Sequence, residues 1–488
     1  MKEGPFMENK YSAENFEKEN ELNQAIKSYI DKTYMQDISI KQIAHDLHIS
    51  CDTMCHLFEQ KFKTSIHTYQ TKKRLEKAMK LLVESDIEIS ELAVLCGYKD
   101  MHSFTENFIK NIDVPPLQFR EQNKNVFFHE FYNYDDMLFA TKIDNLRFLD
   151  NKLKKITQNI PSFPVCVPDD HFKFLHEAAI IEYHGVLYAS WYHCHDKELQ
   201  GYTPICGKRS YDNGKTWSDL EIICESKNEK ILYCPPVYGI SDDRLYMLVN
   251  QMVAPDHIHS LDLYILNTES SQFELLWSRP IPFKLNTNVV TLPNGKLMLP
   301  GRIAELDSFP NTPAVLISDS GKIDTQWRLV KIAENGNLHD GTELVHPEIS
   351  VICANDMLYM FCRNDRRKVP LVYISKDYGE TWSDACTHDI PYVSTKIYCG
   401  TLSDGRHYLI CNTDKTNRSK LSIYFTEDKS LKLSKQLVIF DTENYPGWGA
   451  MHYPAACEYK NCLYVIATKG YENAGRGAEL FKIDLTEI

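Results

Sequence analysis

A chain of 488 residues, 43% hydrophobic and 25% charged, has the make-up of a soluble globular protein and is too long for one ordinary core, so two or more domains are expected. Its net charge of -13 excludes a uniformly basic nucleic-acid coat, although a local basic surface is compatible with it. No apolar run reaches the length of a membrane span, and the start Met1-Lys2-Glu3-Gly4-Pro5 lacks a signal-peptide core. Fifteen cysteines in that setting read as reduced thiols, and a cytoplasmic location is expected. Cys51 with Cys55, and Cys194 with Cys206, lack metal-finger spacing, so neither a metal nor a cofactor is expected.

Residues 1–20 are polar, carry no apolar periodicity and are expected to be a mobile tail. From Glu21 the pattern is helical, with Leu22, Ala25, Ile26, Tyr29 and Ile30 at helical spacing. Ser39 is placed to cap a helix carrying Ile40, Ile43, Ala44 and Leu47, and Ser50 to cap the next, carrying Met54, Leu57 and Phe58. A long helix follows through Tyr69, Leu75, Ala78, Leu81 and Leu82. The short pair then recurs around Leu92-Ala93 and Gly97-Tyr98, with Asp100 ahead of Met101, Phe104 and Phe108, until Pro115-Pro116 ends the run. Two helix-turn-helix units joined by one long helix, with Ile43-Ala44, Ile49-Ser50, Arg74-Leu75, Gly97-Tyr98, Pro115 and Phe119-Arg120 in register, resemble the DNA-binding domain of AraC-type transcription regulators over about residues 21–124.

The resemblance implies double-stranded DNA as a partner, with a homodimer left open. Base readout would fall to Asp52, Thr53 and His56 in the first unit and to His102, Ser103 and Asn107 in the second. Lys72, Lys73 and Arg74 are the candidates for phosphate contact, with a solvated helix face as their bland alternative. The sequence departs from the family where the turn after each second helix usually carries Gly: here stand Lys63 and Asp113. Lys in a left-handed conformation costs about 1–2 kcal/mol. Residues 1–125 hold 17 Lys/Arg against 20 Asp/Glu, so non-specific DNA affinity should be weak and salt-sensitive.

Residues 125–151 are an aromatic-rich linker, expected to pack between domains and to couple them through Phe127–Tyr134. From about Lys152 to the end the text is all-β with a long internal repeat: an alternating strand, a turn, then a second apolar strand. It is read at His176–Tyr188, Pro236–Tyr246, Asn288–Met298, His346–Tyr359, Thr395–Tyr408 and His452–Tyr464. Six such repeats predict a six-bladed β-propeller, with Leu153–Thr157 closing the ring against the last repeat. The expected fold is therefore multidomain, an all-α double helix-turn-helix domain followed by an all-β propeller.

Two stretches, Ser210-Tyr211-Asp212-Asn213-Gly214-Lys215-Thr216-Trp217 and Ser375-Lys376-Asp377-Tyr378-Gly379-Glu380-Thr381-Trp382, fit one pattern, Ser-x-Asp-x-Gly-x-Thr-Trp. Asp folds back onto backbone N–H groups and Gly takes a positive φ, so each is a hairpin turn with a Trp wedge, a scaffold element. This Asp-box resembles the repeat of sialidases and related propellers. In such a fold a ligand sits at the axial end, so the residues opening the repeats, His176-Glu177, His346-Pro347-Glu348 and Tyr453-Pro454, joined by Arg363 and Arg418, are the candidate site.

The sialidase resemblance implies that Arg363 and Arg418 hold a substrate carboxylate, that Tyr453 stands at the nucleophile and that Asp196 stands at the acid/base position. His176 occupies the place of a third arginine and His346 that of the glutamate partner, with Glu348 two residues on. Trp191, in Trp191-Tyr192-His193, is a candidate stacking platform or simply packing, and His193 and His195 are further candidates. Three functions follow. The first is a transcription regulator whose propeller binds an acidic sugar or glycan. The second is a glycan-active enzyme, hydrolase or lyase, using Tyr453, His176, His346 and Asp196. The third is a non-catalytic interaction propeller. Fusion to a DNA reader favours the first.

Overall fold

The computed structural model describes residues 8–36, 38–129, 132–228, 230–254, 257–304, 312–333, 337–414, 418–445, 448–471 and 475–488. The chain divides into a helical unit, made of the residues up to 128 with 132–142, and a β unit comprising residues 143–488.

The helical unit holds α1 (Glu8–Thr33), α2 (Ile40–Asp46), α3 (Cys51–Phe62), α4 (Ile66–Glu84), α5 (Ile89–Leu95), α6 (Met101–Ile112), α7 (Pro116–Gln122) and α8 (Tyr134–Ala140). Side-chain caps set the starts. Ser39 Oγ accepts the Gln42 N–H (3.2 Å), Ser50 Oγ that of Thr53 (3.1 Å), and Asp100 Oδ1 that of Ser103 (2.8 Å). Each satisfies a donor that the first helical turn leaves open. α3 and α6 end on Lys63 (φ 54°) and Asp113 (φ 66°), both left-handed. The backbone keeps the turn although glycine is missing. At Gly97 (φ 80°) glycine is obligatory, because a Cβ would lie 2.6 Å from the Met35 carbonyl oxygen.

Two small cores result. Ile26, Ile30, Ile43, Ala44, Met54, Phe58 and Ile66 pack in one. In the other, Phe104, Phe108 and Phe119 stack edge to edge with successive centroids 5.4 Å apart.

Two expectations need correction here. The tail assigned to 1–20 is helical from Glu8, as the first part of α1, while residues 1–7 lie outside the described residues. Over residues 8–20 the polar run carries four Glu and two Lys, good helix formers even without an apolar stripe. The stretch assigned to a linker contains α8, capped by Asn133 (2.9 Å to the Asp136 N–H) and tied to α4 by the Tyr134 N–H donating to Glu76 (2.7 Å). Phe127, Phe128, Tyr132 and Tyr134 are thus part of the helical unit.

In the β unit, six antiparallel pairs follow one another: Phe174–Tyr183 with Val186–Cys194, Leu232–Ser241 with Arg244–Ala254, Val290–Thr291 with Leu297–Ile303, Ile349–Ala354 with Met357–Cys362, Tyr398–Thr401 with His407–Asn412, and Trp448–Tyr459 with Cys462–Tyr471. Each belongs to a larger sheet. The first and last pairs share one eight-stranded sheet, joined by a parallel contact between Arg476 and Phe174. Leu149–Ile156, expected to close on the last repeat, instead pairs in parallel with Leu433–Asp441 of the fifth sheet. Ser162–Cys166 is the strand that lies along Gly475–Asp484. Residues 145–151 of the expected linker are likewise strand.

Both Asp-box turns have one hydrogen-bond pattern. Asp212 Oδ1 accepts the Thr216 N–H (2.9 Å) and Ser210 Oγ accepts the Gly214 N–H (2.8 Å); Asp377 and Ser375 repeat both bonds at 2.9 and 2.8 Å. Trp217 packs against the largest hydrophobic cluster.

Candidate functional site

Strand alternation should send successive side chains to opposite faces. At the heads of two inner strands it breaks: the ladder slips between His176 and Ala179 and between His452 and Ala455, with positive φ at Glu177 (48°) and Tyr453 (55°). His346, just before Ile349–Ala354, has φ 49°. A bulge re-aims the residue it carries, and a non-glycine residue held at positive φ costs on the order of 1–3 kcal/mol, so surrounding contacts must enforce it.

The re-aimed residues open onto a cavity of about 420 Å³. His176, His346, Arg363, Arg418 and Tyr453 all line it, together with the repeat-opening Glu177 and Glu348 and four charged residues the sequence did not single out for a site (Glu198, Lys284, Arg302 and Arg476).

Arg363 is the hub. Its Nη1 donates to Glu348 Oε2 (2.8 Å) and to Tyr453 Oη (2.5 Å), while Nε and Nη2 grip Asp365 at 2.7 and 2.9 Å. His346 Nδ1 lies 3.3 Å from the same Asp365 carboxylate. Burial pushes the Glu348 carboxyl up, but Arg363, Lys396 and Arg302 outweigh it and hold it below the ordinary range. Asp365 is held low in the same way, with burial opposed by His346, Arg363 and Ser394. This cluster is an internally matched charge network.

Tyr453 is different. Burial, then Glu348, drive its phenol far above the ordinary value despite Arg363 and Arg418 nearby. It carries its proton at neutral pH and is not a ready nucleophile. His176 is fully enclosed, 4.2 Å from the Tyr453 ring by centroids, with Nδ1 3.0 Å from Thr468 Oγ1. Burial and the neighbouring His452, Arg476 and Arg418 depress it well below its ordinary value, so it is neutral.

Arg418 stacks over Tyr453 (5.5 Å) and donates to the Ser394 carbonyl (3.1 Å). Among the described residues no carboxylate lies within ion-pair distance of it. Burial lowers its affinity for its proton and the neighbouring Tyr453 and Glu348 do not restore it. Arg476 reaches a carboxylate only at 3.8 Å, that of Glu198. Beneath the cavity Glu177 pairs with buried Lys396 at 3.1 Å. The geometry can therefore bind an anion, with Arg418 and Arg476 as the cations least occupied by protein carboxylates.

Two sequence candidates are not at the cavity. Trp191 is 0% exposed and packs in the largest cluster beside Cys206, because its place in the uninterrupted second strand points it between sheets. Asp196 lies on an exposed turn, bound to Lys173 (3.1 Å) and His195 (3.0 Å). Of the neighbouring candidates, His195 stays in that exposed pair. His193 is buried, stacked on Phe172 at 4.3 Å, and burial pulls it down to about 4.

On the helical unit, Asp52, Thr53 and His56 are exposed at the start of α3, as are His102 and Ser103 at the start of α6. Asn107 Oδ1 accepts the Tyr98 hydroxyl (3.0 Å), and His102 lies 3.3 Å from Glu106. The basic cluster is largely engaged. Arg74 donates to the carbonyls of Tyr34 (2.6 Å) and Gln36 (3.1 Å), Lys73 pairs with Glu76 (2.5 Å), and Lys72 stands 3.6 Å from Asp135. Arg74 thus ties α4 to the end of α1 instead of presenting its guanidinium to a phosphate.

Comparison with known proteins agrees with this division. Residues 185–466 match the BNR repeat-like domain and residues 43–122 match a helix-turn-helix domain. Over 101 residues the chain is 33% identical to YijO of Escherichia coli K12, an HTH-type transcriptional regulator described as uncharacterized, covering 21% of this chain and 36% of YijO. The xylose operon regulatory protein of Escherichia coli K12 is 29% identical over 98 residues, 20% of this chain and 25% of its own length. The chain thus spans little more than a third of these regulators at most. Among solved structures, a Dyadobacter fermentans protein of unknown function superposes with a TM-score of 0.54 at 12% identity, covering 69% of this chain and all of that one. Trypanosoma rangeli sialidase gives 0.51 at 13% identity, covering 67% of this chain and 60% of the sialidase. These low identities establish a sialidase-like β fold and nothing further. Because the repeat match takes in more than half of the sequence, the chain belongs to the BNR repeat-like family, and it carries at its N-terminus a helix-turn-helix domain of the AraC type.

Proposed function

We propose that this chain is a cytoplasmic transcription regulator that binds double-stranded DNA through its helical unit and an acidic sugar or glycan, as effector, through its β unit. In this reading α2–α3 and α5–α6 are two helix-turn-helix units joined by α4. The six strand pairs are the blades of a six-bladed propeller, whose axial mouth is the cavity. Asp52, Thr53, His56, His102 and Ser103 face the bases, and Lys72 a phosphate. The observation that carries the sugar assignment is Arg418, half-buried beside Tyr453, whose hydrogen-bond partner among the described residues is a neutral carbonyl. A half-buried guanidinium so placed is best answered by an anion from outside. That the xylose operon regulatory protein and the raffinose operon regulatory protein RafR of Pediococcus pentosaceus match the helical part supports a sugar-linked regulatory role.

The test is selection of bound sequences from random duplexes by the full chain, followed by titration with sugar acids. A preferred sequence whose affinity shifts at least about fivefold, roughly 1 kcal/mol, with one acidic sugar is expected. No sequence preference, or no response to any acidic sugar, contradicts the proposal.

One observation favours a second reading, a glycan-active enzyme: Glu348 and Tyr453 meet on the same Arg363 Nη1. Against it stand the protonated state of Tyr453 and the distant, ion-paired Asp196. Turnover of a sialoside or a uronate polymer, abolished by Tyr453→Phe, would establish it over the first.

A further inference from the structure

Tyr453 is singled out by how its hydroxyl is spent. The phenol oxygen accepts a hydrogen bond from Arg363 Nη1 at 2.5 Å, so one side of it is taken. Burial and the neighbouring Glu348 keep the group protonated, which leaves a hydrogen to be given. Among the described residues no protein group accepts that hydrogen. Tyr453 is 7% exposed and lines the cavity, so the cavity is where an acceptor can reach it.

Two guanidiniums flank the same spot. Three rings stand in a row, Phe174 to His176 at 6.1 Å and His176 to Tyr453 at 4.2 Å between centroids. Arg476 lies over Phe174 at one end (4.5 Å) and Arg418 over Tyr453 at the other (5.5 Å). They reach this row from different strands. Arg418 stands just ahead of Lys420–Thr426, while Arg476 belongs to Gly475–Asp484 and is held in register with Phe174. Among the described residues Arg418 has the Ser394 carbonyl as its hydrogen-bond partner, and the carboxylate nearest Arg476 is that of Glu198 at 3.8 Å. Arg363, by contrast, is matched by Glu348 and Asp365. His176 between the two is neutral and supplies no negative charge. Two guanidiniums and a phenol hydrogen are all donors, and an ionised carboxylate or phosphate, which only accepts, complements them.

We propose that Tyr453 and Arg476 complete, with Arg418, a three-donor cradle for one anionic group of the sugar, Tyr453 giving its hydroxyl hydrogen to that group instead of attacking as a nucleophile. This rests on the acidic-sugar reading above and deepens it. The proton stays on Tyr453, no covalent bond forms, and the rest of a cavity of about 420 Å³ is left for the sugar ring.

The experiment is calorimetric titration of the full chain with D-glucuronate, N-acetylneuraminate and glucose 6-phosphate. The probe that binds tightest tells a carboxylate ligand from a phosphate one, and is then taken to Tyr453→Phe, Arg476→Gln and Arg476→Lys. Tyr453→Phe keeps the ring row and is expected to bind at least threefold more weakly, Arg476→Gln at least tenfold, with Arg476→Lys between Arg476→Gln and the wild type. A hydroxyl that starts to donate moves tyrosine absorption to longer wavelength. The wild type should show that shift on adding the probe, and Tyr453→Phe should not; a merely structural tyrosine would leave it unmoved. A wild type that binds without the shift overturns the cradle and leaves the acidic-sugar reading standing, whether or not the variants fold. So does either Tyr453→Phe or Arg476→Gln binding as tightly as the wild type. Absence of binding of all three probes by the wild type overturns both.

Discussion

Arg74 in the helical unit and Arg418 in the β unit are both partly hidden arginines, yet their surroundings treat them in opposite ways. Arg74 spends Nε and Nη2 on two carbonyls just past the end of α1, where helix dipoles already favour a cation. Among the described residues Arg418 has one carbonyl and a tyrosine face, in a cavity where other cations crowd it. The first is a fastening, and removing it should loosen the fold. The second sits where the fold gains little from it, so its use must come from something that binds. Arg363 marks the third possibility, a buried arginine matched by two carboxylates of the protein itself.

That contrast can be broken most sharply at Arg363. Arg363→Ala strands Glu348 as a buried carboxylate and takes from half-buried Asp365 its main cation, and a loss of about 3–5 kcal/mol in the β unit is expected in urea denaturation. The same pair gives an acid signature. Both carboxyls are held below their ordinary values, so their stabilisation is complete above about pH 4–5 and fades as pH falls through the folded values.

Next in size, Arg74→Ala should cost about 1–3 kcal/mol in the helical unit, by loss of two charge-assisted hydrogen bonds. Hydrogen exchange at the end of α1 would register it, and unchanged protection there would deny Arg74 its fastening role. A pH contrast sharpens the comparison further. His176, His452 and His193 are buried and depressed, so unfolding lets them take up protons, and the β unit loses stability as pH falls below about 6.5. Every described histidine of the helical unit is exposed. Exchange measured at pH 7.5 and 5.5 should therefore speed up mainly in the β unit. The smallest expected effect is Lys63→Gly, which relieves the left-handed strain at φ 54° and should stabilise the helical unit by about 1 kcal/mol.

How far the sequence reveals all this depends on the distance over which the cause acts. Ser39, Ser50 and Asp100 cap as their spacing implies, because an N-cap is settled within four residues. The Asp-box turns are equally local, and the six strand pairs follow from an alternating strand, a turn and a second apolar strand. Heading a repeat pointed to His176, His346 and Tyr453, and the sialidase resemblance pointed to Arg363 and Arg418; all five line the cavity. For Trp191 the sequence leaves stacking and packing open, because its exposure depends on which face of the strand meets the next sheet. Glu177 and Tyr453 reach the cavity through bulges that no pattern of hydrophobicity records. Arg302 and Arg476 could have been sought as further charged residues in otherwise apolar strands. Lys284 could not, since its strand is three residues long.

The most direct test of the account is Arg418→Ala, followed by thermal unfolding and by calorimetric titration with N-acetylneuraminic acid, D-glucuronate and digalacturonate. The account expects the variant to melt at or above the wild-type temperature and to lose at least tenfold in affinity for whichever acid the wild type binds. A variant that melts far lower while binding that acid as before would contradict it, and would make Arg418 one more fastening.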